Sequence, residues 1–268
     1  MEKVLRDKNK SLHKVKGLPP IYCINLDEEP NRWEYMVDQF DYWGITDYTR
    51  ISAHDGRDGR DLGDILKGKY PDGMSSSEVG CTTSHLKLMK EFLETSDAPC
   101  ALVMEDDCDI STVSHWDFTW KDFYSKVPYD YDVVQLAIIN PASIHMKMHK
   151  RFINDFSTAC YMITRRHCQK LMELHVRGEK YKIDNGVKPR AVADDLIYNS
   201  GNTFAIPLFL FKIDMGSSIH DDHVDVFHKS SHDGLWQFWK NPSTDLKWNE
   251  IFEYDPYFCR LPPGFENK

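Results

Sequence analysis

The sequence predicts an α/β protein in which helices flank a mostly parallel central sheet. Short apolar runs rich in β-branched and aromatic residues alternate with stretches in which apolar residues recur about every 3.6 positions. Such alternation is typical of largely parallel strands covered by helices. Hydrophobic residues make up 41% of the chain and aromatic residues 13%, which indicates a folded globule rather than a disordered chain.

The first three elements are predicted from apolar runs and from the residues that bound them. Residues 21–26 form an apolar, β-rich run, and residues 48–53 form a second run that leads into a turn. Between them, Pro30 opens a helix that ends at Gly44, because proline suits the first helical position and glycine the position after the last. The apolar face of this helix consists of Trp33, Met36, Val37, Phe40 and Trp43.

A long helix and a buried strand are predicted next. Residues 57–73 are rich in glycine, aspartate and lysine, which predicts a mobile loop. The pattern Ser75-x-x-Glu78 is that of a capping box and predicts the start of a helix. The five apolar residues 100–104 then predict a buried strand.

Two further strands and a helix complete the predicted layer. The runs 133–139 and 159–164 are apolar and β-rich, and a helix from Arg165 to Gly178 follows the second run. Aromatic residues become dense after Trp236, which predicts a C-terminal lobe that packs back on the core.

The length and charge of the chain limit its organisation and its partners. No repeat or clean linker divides the 268 residues, so we expect one domain over residues 19–268. Residues 1–18 are basic and lack an apolar segment, which predicts a flexible tail rather than a signal peptide. A net charge of -9 argues against a nucleic-acid partner. The seven cysteines include no C-x-x-C pair, and no apolar stretch is long enough to span a bilayer, which together favour a soluble protein of the cytoplasm.

Three consecutive carboxylates, Glu105, Asp106 and Asp107, follow the strand predicted at 100–104. Burying them inside the strand would cost more than its apolar run returns, so we place them at its carboxyl end. Ligands of open α/β sheets bind at that edge. Adjacent carboxylates suit a hard cation such as Mg²⁺ or Mn²⁺, especially one shared with phosphate groups. The triplet therefore predicts a cation site, although a surface turn or helix cap would account for any one of its members.

Five local patterns occur in a fixed order along the chain. They are Ile24-Asn25-Leu26-Asp27 with Arg32, Ala53-His54-Asp55-Gly56, Gly80-Cys81-Thr82-Thr83-Ser84-His85, Glu105-Asp106-Asp107, and Asp194-Asp195. With this ordered set the chain resembles glycosyltransferase family 25, which includes bacterial lipooligosaccharide galactosyltransferases and the collagen hydroxylysine galactosyltransferase domain. The resemblance runs from Ile21 to Ser231 and includes the segment 157–166.

The resemblance implies a GT-A fold, a UDP-sugar donor and an acidic metal motif of the DxD type, here Glu-Asp-Asp. Galactose is the first candidate for the sugar and glucose the second, and the acceptor would be a hydroxyl of a glycan or of hydroxylysine. We expect Asp107 to be the main metal ligand, with Glu105 beside it and His220 completing the coordination of Mn²⁺ or Mg²⁺. The cation would offset the negative charge that develops on the leaving diphosphate.

Eight residues are candidates for binding the donor. They are Asn25, Leu26, Arg32, Asp55, Gly56, Ser84, Glu105 and Asp106. The resemblance places the nucleotide base near the end of the first strand and Asp55-Gly56 in a donor-site loop. The guanidinium of Arg32 could donate two hydrogen bonds to the diphosphate. A helix-surface ion pair with a nearby glutamate is an equal alternative. Ser84 is predicted in the first turns of a helix, where free N–H groups favour anions.

The pair Asp194-Asp195 precedes an apolar triplet and is predicted to start a short helix. A carboxylate there could deprotonate the acceptor hydroxyl as general base, which an inverting transfer requires. We expect Asp195 to be the base and Asp194 to support it, with helix N-capping as the alternative role for either. His85 is the next candidate for the base, although a lone histidine on a helix is more often structural.

A histidine-rich cluster supports a competing hypothesis. His220 and Asp222 with a later histidine, His228 or His232, match the facial triad of Fe(II)/2-oxoglutarate oxygenases. Such oxygenases normally have a β-rich jelly roll, whereas this chain alternates helices with strands. A further alternative is a carbohydrate-binding module that keeps a transferase fold without activity. Dependence on 2-oxoglutarate and Fe(II) would identify the oxygenase, and metal-dependent hydrolysis of a UDP-sugar would separate the transferase from the module.

Overall fold

A computed structural model describes residues 9–57, 62–140, 144–184, 186–187, 189–215, 228–241 and 247–254. The strands in these ranges are β1 (Ile21–Asn25), β2 (Tyr48–Ser52), β3 (Cys100–Glu105), β4 (Cys108–Asp109), β5 (Val133–Gln135), β6 (His149–Lys150), β7 (Cys160–Thr164), β8 (Val176–Arg177), β9 (Lys180–Tyr181), β10 (Thr203–Ala205) and β11 (Leu210–Phe211). The α-helices are α1 (Pro30–Trp43), α2 (Leu62–Ile65), α3 (Ser76–Thr95), α4 (Trp120–Tyr124), α5 (Arg165–His175), α6 (Ala193–Tyr198), α7 (Lys229–Lys240) and α8 (Trp248–Ile251).

Seven strands form the central sheet, in the order β2-β1-β3-β7-β5-β10-β6. Strand β1 is parallel to both of its neighbours, and β5 is parallel to β10. Strand β7 lies antiparallel between β3 and β5, and β6 is antiparallel to β10 at the edge. Strands β2, β1, β3, β5 and β10 therefore point in one direction, which confirms the mostly parallel sheet. The arrangement is compatible with a GT-A fold.

The boundaries of α1 and α3 follow the signals in the sequence. Helix α1 begins with Pro30 at its first position and ends at Gly44, which adopts a left-handed φ of 63°. The capping box of α3 is formed as predicted: Ser75 Oγ accepts from the Glu78 N–H at 3.2 Å, and Glu78 Oε2 accepts from the Ser75 N–H at 2.8 Å. Each signal satisfies backbone groups that a helix end leaves without an intrahelical partner.

Both faces of the central strands β1, β3 and β7 are buried, which explains why these strands are apolar without alternation. Along β3, the side chains of residues 100, 102 and 104 enter one hydrophobic cluster and those of residues 101 and 103 enter another. The first cluster includes residues of α1 and the C-terminal aromatics Trp239 and Phe252. Helices α3, α5 and α6 cover the second face. The rings of Phe118 and Phe252 pack edge to face at 4.7 Å, so these described C-terminal aromatics pack back on the core as predicted.

Three sequence-based boundaries were wrong. The strand predicted over residues 133–139 ends at Gln135, because the next two N–H groups, of Leu136 and Ala137, both donate to the Cys160 carbonyl instead of continuing the ladder. The helix that starts at Arg165 ends at His175, because residues 176–177 and 180–181 pair as a hairpin around Gly178. The segment predicted as a mobile loop over 57–73 contains α2, and Leu62 packs into a small hydrophobic cluster of its own.

The described part of the predicted N-terminal tail contacts the body. Residues Leu12–Val15 form a 3₁₀ turn in which Val15 is buried, and the Lys14 ammonium donates to backbone carbonyls of residues 113, 114 and 116. Residues 1–8 lie outside the described ranges. In the part of the chain that the structure covers, no helix combines the length and the apolar character that a membrane span needs.

Candidate active site

A cavity of about 370 Å³ opens at the carboxyl ends of β1 and β3. All eight residues that the sequence suggested for donor binding line it. They are Asn25, Leu26, Arg32, Asp55, Gly56, Ser84, Glu105 and Asp106. Residues from four separate segments meet here because β1 and β3 are parallel neighbours and so end at the same edge of the sheet.

Asp106 joins the end of β1 to the start of α1. Its Oδ2 accepts from Asn25 Nδ2 at 2.7 Å, and its Oδ1 accepts from Arg32 Nε at 2.8 Å. The guanidinium of Arg32 also lies 3.4 Å from Asp107 Oδ2. Arg32 is therefore paired with the acidic triplet, and a helix-surface pair with a glutamate is not its role among the described contacts. Asn25 is held from its other side by Arg50, whose Nε donates to Asn25 Oδ1 at 2.8 Å.

Two glycines let the loop at 53–57 lie directly on α3. A Cβ on Gly56 would sit 2.0 Å from the Ser76 carbonyl oxygen, and one on Gly80 would sit 2.6 Å from the Gly56 nitrogen. Neither position tolerates a side chain without separation of the two segments. The Asp-Gly pair is thus a point of close backbone contact that brings Asp55 to the cavity wall.

The reason given for Ser84 was wrong, although the residue lines the cavity. Helix α3 begins at Ser76, so Ser84 lies in the helix interior and not in the first turn with its free N–H groups. Its hydroxyl donates to the Gly80 carbonyl at 2.7 Å and accepts from the His54 N–H at 2.8 Å. In this structure the Ser84 hydroxyl fastens the loop to the helix.

The charge of the cavity wall is negative. Its lining includes the basic residues Arg32 and Arg57 against four acids, Glu29, Asp55, Glu105 and Asp106, a difference of two negative charges. Both arginines are engaged, since Arg57 pairs with Asp55 at 2.8 Å and Arg32 with Asp106. A phosphorylated ligand would therefore meet excess negative charge unless a cation accompanied it.

Glu105 lies at the centre of the acidic edge. Its Oε1 accepts from Thr158 Oγ1 at 2.5 Å and lies 3.2 Å from His85 Nε2. Burial opposes its ionisation, but the hydrogen bond and charge of His85 outweigh burial and hold the pKa of Glu105 below its usual value. The other ring nitrogen of His85, Nδ1, lies 2.9 Å from the Tyr161 hydroxyl. Glu105 is thus held as a carboxylate in a fixed orientation.

Two neighbouring carboxylates, Asp107 and Asp194, are poorly compensated. In each of them Oδ1 is buried without a hydrogen-bond partner among the described residues. Burial, together with the charge of Glu105, raises the pKa of Asp107 to about 7. Burial, again with the charge of Glu105, raises the pKa of Asp194 to about 6. Both carboxylates would be stabilised by a cation placed among them.

Asp194 and Asp195 differ in their surroundings. Asp195 Oδ2 accepts from the Arg190 N–H at 3.1 Å and Oδ1 accepts from Asn199 Nδ2 at 3.1 Å. Asp194 instead lies within the electrostatic influence of Arg151 and Glu105 and accepts a hydrogen bond from the backbone N–H of Ser157. Neither residue is the N-cap of α6, which is Val192. The geometry favours Asp194 over Asp195 as the reactive member of the pair, and the roles of both stay predictions.

The residues present include the oxygen donors that a divalent cation prefers, although among the described residues only Cys81, His85 and Glu105 bring three ligand atoms within 4.8 Å of one another. Glu105 and Asp107 would supply hard oxygen ligands, and Asp107 carries a buried oxygen with no described partner. Asp106 is the exception, because protein donors already occupy both of its oxygens. His220 and Asp222 lie outside the described residues, so neither the metal role of His220 nor the local basis of the oxygenase alternative can be placed.

Several residues of the site were not predicted from the sequence. Arg50, Thr158 and Tyr161 each orient a residue of the cavity through the hydrogen bonds described above. Ser157 has a φ of 99°, which is rare for a residue with a side chain and marks strain beside the site. The signal for Thr158 and Tyr161 was present in the segment 157–166, which had been interpreted only as a strand leading into a helix.

A match to a protein-family sequence profile shows which family the chain belongs to. The sequence profile of glycosyltransferase family 25 (LPS biosynthesis protein) matches residues 18–185, which is more than half of the chain. Among solved structures, the crystal structure of A197 from STIV shares 11% sequence identity at a TM-score of 0.37, over 71% of this chain and 82% of that chain. No curated protein sequence matches the chain. The match over residues 18–185 identifies the chain as a glycosyltransferase that belongs to glycosyltransferase family 25.

Proposed function

We propose that this glycosyltransferase is metal-dependent and inverting, and that it transfers a hexose from a UDP-sugar to a hydroxyl of a glycan or of hydroxylysine. Galactose is the first candidate for the hexose and glucose the second. The observation that carries the proposal is the edge of the sheet at which eight donor-binding candidates line one cavity beside two under-compensated carboxylates.

The donor would lie in this cavity along the end of β1. Asn25 and Leu26 would contact the nucleotide base, because they line the cavity where β1 ends. Asn25 is fixed by Asp106 and Arg50, so its orientation is set before the donor arrives. Arg32 would face the diphosphate from the first turn of α1, and Asp55 would contact the donor from the loop held by Gly56.

The cation would be held by Asp107 and Glu105, with Asp194 nearby. Bound there, it would neutralise the diphosphate and stabilise the charge on the leaving group. The chain contributes by keeping Glu105 ionised and oriented through Thr158 and His85. It also leaves an Asp107 oxygen uncommitted to any described donor.

Asp194 is proposed as the general base, with Asp195 holding the turn that presents it. A base needs a carboxylate that can accept a proton, and Asp194 has an oxygen without a described hydrogen-bond donor and a pKa raised by burial to about 6. Both oxygens of Asp195 already accept hydrogen bonds from Arg190 and Asn199. His85 is less suited, because both of its ring nitrogens face protein groups.

A donor screen tests the proposal. The full chain would be incubated with UDP-galactose, UDP-glucose and a GDP-sugar, each with Mn²⁺ or with a chelator, and release of the nucleotide would be measured. We expect UDP release from a UDP-hexose in the presence of Mn²⁺ only. Release from the GDP-sugar alone would refute the choice of donor. UDP-sugar binding without release, even with candidate acceptors, would instead support a non-catalytic module.

A further inference from the structure

We propose that Cys81, His85 and Glu105 form a binding site for Zn²⁺ in the wall of the donor cavity. This site is separate from the hard-cation role proposed for Asp107, because it draws on a thiol and an imidazole of α3. It shares only Glu105 with that role. The proposal does not depend on the sugar donor, and its test requires none.

The three donor atoms are close enough to share one ion. The Cys81 sulfur, a ring nitrogen of His85 and a carboxylate oxygen of Glu105 all lie within 4.8 Å of one another. Around a tetrahedral zinc, bonds of about 2.3 Å to sulfur and about 2.1 Å to nitrogen or oxygen place the ligand atoms about 3.5 Å apart. His85 Nε2 and Glu105 Oε1 are already 3.2 Å apart, so side-chain movements of up to about 1 Å would bring the three atoms around one ion.

The local structure supports this geometry. Cys81 and His85 are four residues apart on α3, so their side chains lie on one face of the helix, one turn apart. Glu105 is the last residue of β3 and faces them from the sheet. Three ligands from two rigid elements are held more firmly than ligands on a loop.

Tyr161 supplies the outer contact that a zinc-bound histidine normally has. Its hydroxyl lies 2.9 Å from His85 Nδ1, on the side of the ring opposite Glu105. A zinc-bound imidazole usually donates its second N–H to an oxygen acceptor, which fixes the ring. The tyrosine hydroxyl can either donate or accept, so it can serve His85 in both the metal-free and the zinc-bound tautomer.

An ion can reach the site, and the site selects zinc. All three side chains line the cavity, so the ion can enter from it and take its fourth ligand, a water molecule, on the open side. Thiolate and imidazole favour Zn²⁺ over Mg²⁺ and Mn²⁺, which prefer oxygen. Binding would release the thiol proton of Cys81 to solvent and replace the contact of its thiol with Thr158 by a bond to the metal.

Cobalt(II) provides a spectroscopic test, because it occupies zinc sites and reports a bound thiolate. Addition of Co²⁺ to the metal-free full chain should produce a thiolate-to-cobalt charge-transfer band in the near ultraviolet, which stoichiometric Zn²⁺ should abolish. The Cys81→Ser variant should lose the band. Cys100→Ser should keep it, since Cys100 is a buried thiol at the opposite end of β3 from Glu105. A band of wild-type intensity in Cys81→Ser, or no band in the wild type, would overturn the proposal.

A second measurement uses the wild-type chain and so does not depend on the folding of a variant. Alkylation of Cys81 would be followed by peptide mass spectrometry with and without Zn²⁺. At a zinc concentration about ten times the dissociation constant, the rate should fall about tenfold. An unchanged alkylation rate at saturating Zn²⁺ would contradict the site.

Discussion

Two carboxylate clusters, a fully buried one at Asp155 and a half-buried one at Glu105, Asp107 and Asp194, differ in how fully their oxygens are satisfied. At Asp155, Oδ1 accepts from Asn140 Nδ2 at 2.9 Å, and Oδ2 accepts from the Phe152 N–H at 2.9 Å and faces His149 Nε2 at 3.1 Å. At the edge formed by Glu105, Asp107 and Asp194, two oxygens are buried with no described partner.

The pKa values of the two clusters move in opposite directions. Burial opposes the charge of Asp155, but His149 and the hydrogen bonds outweigh it, so its pKa lies below the usual value. At Asp107 and Asp194 burial is not outweighed, and the pKa values rise to about 7 and about 6. The hydrogen bonds of the first cluster offset its burial, whereas in the second the charges of Arg32 near Asp107 and of Arg151 near Asp194 do not. The contrast supports a structural role for Asp155 and the cation-binding role proposed for Asp107.

The largest expected effect is that of Asp107→Asn on sugar transfer. Removal of the charge that holds the cation should lower kcat/KM about 1,000-fold, because the leaving diphosphate loses its counter-charge. The melting temperature should not fall, since the variant removes a poorly compensated buried charge. Transfer would be measured as UDP release beside a thermal melt.

Glu94→Gln serves as the control, because Glu94 is an exposed carboxylate on α3 and its ion pair with Lys90 spans 4.0 Å. It should transfer like the wild type. If Asp107→Asn also transferred sugar at the wild-type rate, the acidic triplet would be an ordinary surface turn without a role in metal binding.

The variants Asp194→Asn and Asp195→Asn compare the two candidate general bases, which lie in the same turn of α6. Loss of the general base should lower kcat about 100-fold in Asp194→Asn with little change in UDP affinity. Asp195→Asn should have a smaller effect on kcat, because Asp195 accepts only structural hydrogen bonds. Both constants would be measured in both variants. A larger loss of kcat in Asp195→Asn would restore Asp195 as the base, and loss of UDP binding in both would place the pair with the donor.

Asp155→Asn tests the other cluster and should act on stability. Removing a buried carboxylate that accepts several hydrogen bonds costs about 3 kcal/mol in the free energy of unfolding. Denaturant unfolding would be compared with Glu179→Gln, whose partner Lys90 lies 2.7 Å away but whose carboxylate is 88% exposed. The exposed pair should contribute at most about 1 kcal/mol. Equal losses in the two variants would show that the Asp155 cluster is not the stabilising one.

The smallest expected effect is a difference in the pH dependence of stability. A carboxyl group whose pKa is raised by folding loses stabilising free energy as the pH rises from its unfolded to its folded pKa. For Asp107 that interval runs from 3.8 to about 7. With chelator present, the melting temperature of Asp107→Asn relative to that of the wild type should increase as the pH rises across this interval.

Asp155 has the opposite sign. Its stabilisation is complete above the unfolded pKa and is lost as the pH falls through the lowered pKa of the folded state. The gap between the wild type and Asp155→Asn should therefore close in acid. Parallel pH profiles for the Asp107 and Asp155 variants would contradict the contrast between the clusters.

Local capping signals and apolar runs predicted much of the secondary structure. Pro30, Gly44 and the Ser75 capping box marked helix ends from contacts within a few residues, and such signals need no knowledge of the fold. The eight donor-binding candidates line one cavity, in part because β1 and β3 are parallel neighbours whose ends meet, and their roles stay predictions.

The sequence could not show which strand lies next to which. Strand β7 is inserted antiparallel beside β3, so that Tyr161 pairs with Val103 and Thr158 reaches Glu105. That order depends on packing between distant segments, and it explains why Thr158 and Tyr161 were missed. Which of Asp194 and Asp195 points toward the acidic edge likewise depends on how the short helix α6 is rotated against the sheet. Two neighbouring residues in a sequence do not reveal that rotation.

Calorimetry of UDP binding tests most directly the claim that the edge at Glu105, Asp107 and Asp194 is compensated by a cation. UDP would be titrated into the full chain in Mn²⁺ and again in chelator, with ionic strength matched. Because the cavity wall carries more acids than bases, we predict tight binding in Mn²⁺ and at least about tenfold weaker binding in chelator. Equal affinity in the two buffers would contradict the account.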